Sequence, residues 1–246
     1  MDSIKKVLIN KQGRRFYVRS LEQDHHNQFG VVKKEQLQVQ DGSKIVSNTG
    51  EEFYLYSPFF RDLYSRIKRG AQIIPLKDIG MIVAEAGITK ESRVLDCGAG
   101  SGAFCCFLAS IAKEVIAYEI REDFFKTVQE NISSLGLNNI SLKLQDIYLG
   151  IDETDLDVIT LDLPEPWKVL DHAANALKAG GFIVSYSPTI PQVADFVNAV
   201  HDHASFTHIK TLEIIERTWE VKGRKVRPQS LSIGHSGFLS FCRKLQ

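Results

Sequence analysis

Val94-Leu-Asp-Cys-Gly-Ala-Gly-Ser-Gly102 is a short apolar strand running into a turn with glycine at positions 98, 100 and 102. Glycine removes the Cβ atoms that would keep a ligand away from the backbone. Ala103 to Ala112 is apolar and helix-compatible. Strand, glycine turn and helix together make an element that holds nucleotide-like ligands on backbone N–H groups. Asp96 adds a carboxylate beside the glycines.

Working outward, the pattern around this turn alternates strands and helices. Helices are expected over 77–86, 102–112, 122–134, 167–178 and 191–203. Strands are expected over 93–96, 114–118, 140–144, 157–161 and 182–186. Such alternation builds a mostly parallel sheet with helices on both faces. Two closing β segments, near 207–219 and 235–243, read as an antiparallel edge hairpin. Upstream, Lys6–Asn10, Arg15–Arg19, Gly30–Lys33, Lys44–Val46 and Phe53–Tyr56 read as strands, with turns at Gly13, Asp24–Asn27, Asp41-Gly42 and Asn48–Gly50. Ser57 is the expected N-cap, and Pro58 the first residue, of a helix reaching about Lys68. The organisation expected is therefore a small β-rich domain (1–56), a helical linker (57–76) and an α/β domain (77–246).

Composition sets bounds on function. The 246 residues are 43% hydrophobic and 24% charged, enough for a sizeable core. No apolar run spans a bilayer and Met1–Lys6 has no signal-peptide core, so a cytoplasmic protein without membrane partners is expected. The four cysteines, at 97, 105, 106 and 242, lack metal-ligand spacing, and no metal is expected. The net charge of zero conceals an asymmetry. Residues 1–75 hold 13 Lys and Arg against 8 Asp and Glu, residues 76–210 hold 10 against 19, and residues 211–246 hold 7 against 3. Basic flanks around an acidic middle suit a polyanionic partner.

Gly98-Ala-Gly-Ser-Gly-Ala103 satisfies both the dinucleotide pattern G-x-G-x-x-A and the D-x-G-x-G-x-G pattern of S-adenosyl-L-methionine-dependent methyltransferases. Glu119, ending the second strand, suits a ribose diol in either case. Position favours the methyl donor, because a dinucleotide fold usually begins at its glycine turn. Asp146, after the third strand, can accept from an adenine amino group or simply cap a turn. In an open α/β sheet the ends that carry Asp96, Glu119 and Asp146 line one crevice.

The fourth strand ends in Leu161-Asp-Leu-Pro-Glu-Pro-Trp167. Pro164 and Pro166 stiffen this loop. Trp167 can wall a base pocket, and Asp162 is the obvious acid–base group. At this point the chain resembles the TrmI-type tRNA (adenine-N1)-methyltransferases of archaea and bacteria, which modify T-loop adenine 58 and in some archaea also adenine 57. The resemblance covers about residues 66–246. It rests on Ala71-Gln-Ile-Ile74 with Lys77-Asp78, Val94–Gly102, Tyr118–Asp123, Asp162–Trp167, Tyr186-Ser-Pro188 with Gln192, Glu216–Trp219, Arg227-Pro228 and Gly234–Phe238. Two departures stand out. Ile74-Pro-Leu-Lys77 replaces the family's aromatic-proline order, and His235-Ser236 replaces its His-Thr.

The resemblance implies a class I, Rossmann-like methyltransferase domain carrying an antiparallel edge hairpin beside a small N-terminal β domain. It implies a tRNA partner and a homotetramer. Asp162 and Tyr186 are the implied catalytic residues. Gln72, Asp96, Gly98, Gly100, Ser101, Gly102, Ala103, Glu119, Asp146 and Asp162 are the candidates for binding S-adenosyl-L-methionine. Trp167, Tyr186, Arg217, Arg227 and His235 are the candidates for binding tRNA. Adenine N1 carries a lone pair, so attack needs no prior deprotonation; a carboxylate would stabilise the positive charge that develops on the ring. Three alternatives stay open: a methyltransferase of protein or small molecules, a nicotinamide-dependent oxidoreductase, and a non-catalytic tRNA-binding subunit.

Overall fold

The computed structural model describes residues 4–70, 72–231 and 234–246. Ala71, which opens the Gln72 stretch, lies outside the described residues, as do Met1, Asp2 and Ser3. The chain divides into two units, one running to Ile67 with Ser133–Gly136, the other comprising Lys68–Ile132 and Leu137–Gln246.

The first unit holds β1 (Lys6–Asn10), β2 (Arg15–Val18), β3 (His25–Asn27), β4 (Gly30–Val32), β5 (Lys44–Val46), β6 (Glu52–Tyr56) and α1 (Phe60–Tyr64). Four strands form an antiparallel sheet in the order β2-β1-β6-β5. Alternation along these strands turns Leu8, Val18, Ile45, Phe53 and Leu55 to one face, where they form a core with Val32 and Leu37. Phe16 meets Phe29 and Phe53 edge to face. Asp24–Asn27, expected as a turn, leads into β3 instead. The reversal comes two residues later, where Asn27 Oδ1 accepts from Phe29 N at 2.7 Å. The expected helix from Ser57 shrinks to five residues capped at Phe59. Ser57 N is committed to Asp41 Oδ2, and Asp62 Oδ2 accepts from Phe59 N, so the helix begins where a carboxylate meets its free N–H groups.

The second unit holds α2 (Leu76–Glu85), β7 (Arg93–Cys97), α3 (Ala103–Ala109), β8 (Glu114–Glu119), α4 (Glu122–Leu135) up to Ile132, β9 (Ile140–Leu144), β10 (Leu156–Leu161), α5 (Leu170–Ala176), β11 (Leu177–Ser187), α6 (Ile190–Asp202), β12 (Phe206–Glu213), β13 (Trp219–Lys222), β14 (Lys225–Pro228) and β15 (Phe238–Lys244). Seven strands form one sheet in the order β12-β15-β11-β10-β7-β8-β9. The five strands β7 to β11 run parallel; β15 lies antiparallel between β11 and β12. The central strands are apolar on both faces, as burial under two helical layers demands, and Leu95, Ile159 and Ile183 are fully buried.

Two boundaries differ from expectation. Helix 167–178 is a 3-10 turn over Pro166–Val169 followed by α5, and β11 begins at Leu177. Leu177 is buried and pairs with Leu156, so sheet pairing claims it from the helix. The β segment expected over 207–219 ends at Glu213. Trp219 belongs to a separate two-stranded ribbon, β13–β14, inserted between β12 and β15. Among the described residues, no helix is long and apolar enough to cross a membrane, and no group of His, Cys, Asp and Glu could hold a metal ion.

Candidate functional site

The parallel strands β7, β8 and β10 all end on one side of the sheet, and a cavity of ≈450 Å³ lies beyond those ends. That volume is within the range of small-molecule sites. Its lining gathers the predicted residues Gln72, Asp96, Gly98, Gly100, Ser101, Ala103, Glu119, Asp162 and Tyr186.

The glycine turn is held from several directions. Gly98 N and Ala99 N both donate to Tyr118 O at 3.0 Å. Gly98 has φ +87°, and a Cβ there would sit 2.4 Å from Asp162 O. No side chain fits, so the turn and the β10 loop close on each other only through glycine. Gly102 caps α3, and Ser101 Oγ accepts from Gly70 N at 2.9 Å. Asn131, buried on α4, donates from Nδ2 to Ser101 O at 2.8 Å and to Lys68 O at 2.9 Å. Sequence reading missed Asn131; a polar residue on the apolar stripe of α4 was the available signal.

Glu119 is 5% exposed. Its Oε2 accepts from Gly100 N at 2.7 Å and its Oε1 from Arg121 N at 2.8 Å. Backbone donors thus keep it aimed beside the turn, with lone pairs left for ligand hydroxyls. Arg121 stacks on Phe124, 4.0 Å from the ring centroid, and both line the cavity with Ile120 and Leu163. These apolar and stacked walls suit a planar base. Reading strand ends for acids left them out.

Asp96 is buried. One carboxylate oxygen accepts from Thr160 Oγ1 at 3.1 Å; the other has no hydrogen-bond partner among the described residues. Burial, reinforced by Asp162 and Glu119, pushes its pKa up to about 7. Asp162 follows β10 and continues the ladder by donating its N–H to Cys97 O at 3.1 Å. Burial pushes its carboxyl up to about 6. The loop after it is tied by Gln192 Nε2 to Pro164 O at 3.2 Å and by Glu165 N to Tyr148 Oη at 3.2 Å. Tyr186, near the end of β11, is 6% exposed and donates to Ser236 O at 2.7 Å. Burial raises its phenol to about 12.

Other predicted residues stand apart from the cavity lining. Asp146 caps the 3-10 turn Ile147–Leu149, accepting from Tyr148 N at 3.0 Å. Trp167 packs against the sheet's hydrophobic core. Arg227 lies on β14, its Nε donating to Glu220 at 3.0 Å, and Arg217 is exposed between β12 and β13. His235 bridges Glu213 Oε1 at 2.7 Å and Pro188 O at 2.9 Å. Gly102 contributes through the backbone of the turn.

The cavity fits S-adenosyl-L-methionine on its own chemistry. It offers a glycine turn that closes on the β10 loop without a Cβ at Gly98, a carboxylate held beside that turn for a diol, and a buried Asp96 oxygen with no hydrogen-bond partner among the described residues. Known proteins agree. A tRNA methyltransferase of Methanocaldococcus jannaschii, named tRNA (adenine(57)-N(1)/adenine(58)-N(1))-methyltransferase TrmI, is 34% identical over 97% of this chain and 94% of its own length. The crystal structure of an S-adenosylmethionine-dependent O-methyltransferase from Thermotoga maritima superposes with TM-score 0.89 at 28% identity, covering 100% of this chain and 94% of that one. The tRNA (m1A58) methyltransferase TrmI of Aquifex aeolicus superposes with TM-score 0.84 at 26% identity, covering 100% and 98%. These neighbours are methyltransferases, which decides between the two readings of the glycine turn. Residues 62–240 match the family model described as the tRNA methyltransferase complex GCD14 subunit, and the chain belongs to that family.

Proposed function

We propose that this chain is a tRNA (adenine-N1)-methyltransferase that uses S-adenosyl-L-methionine and acts on T-loop adenine 58. The carrying observation is that one cavity gathers the Gly98–Ala103 turn, Glu119, Asp162 and Tyr186. The bound cofactor supplies an electrophilic methyl group on a sulfonium. The turn and Glu119 would hold it on the β7–β8 side beside Asp96, with Gln72 also in the cavity wall. Asp162 stands at the end of the central strand. Its carboxylate accepts from the exocyclic N6–H of the adenine and stabilises the charge that the ring gains as N1 is alkylated. It can then take an N6 proton as general base. Tyr186 offers a ring face to a base drawn out of its stack.

For the polyanion, we infer contacts from the exposed tip of β13–β14, where Lys222 and Arg224 flank the turn, and from the N-terminal unit. Arg217 adds a cation on the same connection. Self-association is the second part of this reading. Trp219, Val221 and Val226 lie on one face of the ribbon and are 53%, 70% and 58% exposed. An isolated two-stranded ribbon is marginal alone, so a second copy is the proposed cover; light scattering that gives only monomer mass would remove this part. The proposed place of work is the cytoplasm. The test of the activity is incubation with unmodified tRNA transcript and nucleoside analysis. 1-Methyladenosine at position 58 is expected, and a product at position 57 would mark a second acceptor.

A further inference from the structure

Lys77 and Asp78 sit in the first turn of α2, and Ser236 lies just before β15. Lys77 Nζ donates to Asp78 Oδ1 at 2.7 Å and to Ser236 Oγ at 2.6 Å. Ser236 Oγ in turn donates to Asp78 Oδ2 at 2.7 Å. The three side chains close a ring, and Asp78 is fully buried. A buried ion pair contributes little net stability, since desolvation cancels much of its attraction. What it provides is direction. The serine hydroxyl accepts from one charged partner and donates to the other, so its rotor has one setting.

That setting reaches the cavity. The Ser236 carbonyl accepts the Tyr186 phenol proton at 2.7 Å. A Cβ on Gly237 would lie 2.4 Å from Tyr186 Cζ, so the backbone itself packs on the ring. On the other flank, His235 ties the same segment to Glu213 and to the carbonyl of Pro188, which also lines the cavity. Tyr186, Pro188 and Ser236 lie on the β11–β15 side of Asp162, opposite the glycine turn and Glu119. With its proton committed to Ser236, Tyr186 presents a ring rather than a donor.

We propose that Lys77, Asp78 and Ser236 are positioning residues that set the Tyr186 ring against the acceptor adenine, an inference that rests on the tRNA reading above. The test compares Ser236→Ala, Ser236→Thr and Asp78→Asn for methyl transfer to unmodified tRNA, alongside S-adenosylhomocysteine affinity by calorimetry and thermal midpoint. Ser236→Ala should lower kcat about 10- to 100-fold, while tRNA KM and S-adenosylhomocysteine affinity stay within about twofold. Ser236→Thr, which keeps the hydroxyl, should recover kcat to within about threefold of wild type. Asp78→Asn, should it fold, should follow Ser236→Ala. Wild-type kcat in Ser236→Ala overturns the proposal, as does a joint loss of kcat, S-adenosylhomocysteine binding and thermal midpoint that Ser236→Thr does not restore. A wild-type chain that leaves tRNA unmethylated overturns the functional reading and this inference together; an active wild type with an unaffected Ser236→Ala overturns only the inference.

Discussion

Asp162 and Asp96 are neighbouring carboxyls with different surroundings. Both line the cavity; Asp162 has a pKa of about 6, and Asp96, more deeply buried, has one oxygen paired to Thr160 and a pKa of about 7. The proposed role of Asp162 needs its ionised form. The prediction is that kcat/KM rises with pH through about 6 and then levels, and that Asp162→Asn removes the rising limb. Asp162→Asn should also cost roughly 100-fold or more in kcat, the scale on which a lost charge-stabilising group acts. Steady-state kinetics across pH check both outcomes. A variant within about threefold of wild type would deny Asp162 its role. Tyr186→Phe keeps the ring but loses the tether to Ser236, so it should retain more kcat than Tyr186→Ala, as single-turnover rates would show.

At the scale of elements, the glycine turn and the β10 loop depend on each other. Gly98→Ala would place a methyl 2.4 Å from the Asp162 carbonyl at a left-handed φ of +87°. The conformation alone costs an alanine about 1 kcal/mol, and the contact adds to it. S-adenosylhomocysteine binding should be lost, and the thermal midpoint lowered, in calorimetry of Gly98→Ala. This turn, the alternating strands after it and the acids Asp96, Glu119 and Asp162 were legible in the sequence. Their signals are local: glycine spacing, apolar runs and a carboxylate at a strand end. Asp146 and Trp167 show the limit of that logic. A carboxylate after a strand caps a turn as readily as it meets a ligand, and an aromatic after two prolines can turn inward to the core. Asn131 and the Lys77–Asp78–Ser236 ring were not legible as a site, because Ser101 lies far along the chain from Asn131, Ser236 far from Asp78, and only the fold joins them. The β13–β14 ribbon merged with β12 for a related reason: β-rich sequence does not mark where one sheet ends and another begins.

For the molecule as a whole, charge couples stability to pH. The folded pKa values of Asp96 and Asp162, about 7 and about 6, lie above the ordinary 3.8. These two carboxyls therefore bind more protons in the folded state than in the unfolded chain between about pH 4 and about pH 7, and their contribution to stability falls as pH rises through that window. Asp96→Asn removes the larger part of this, so its thermal midpoint should gain on wild type between about pH 4 and about pH 7. Scanning calorimetry at several pH values reads the difference; a constant gap would contradict it. At the ribbon tip, Lys222→Ala with Arg224→Ala should weaken tRNA binding and reduce the slope of log affinity against log salt by up to about 2. Filter binding at graded salt checks that slope. Methyl transfer to position 58 is read directly by nucleoside mapping of unmodified tRNA after incubation with the chain and S-adenosyl-L-methionine. The prediction is 1-methyladenosine at position 58 with wild type and little or none with Asp162→Asn; unmodified adenine at that position with active, folded wild type would contradict it.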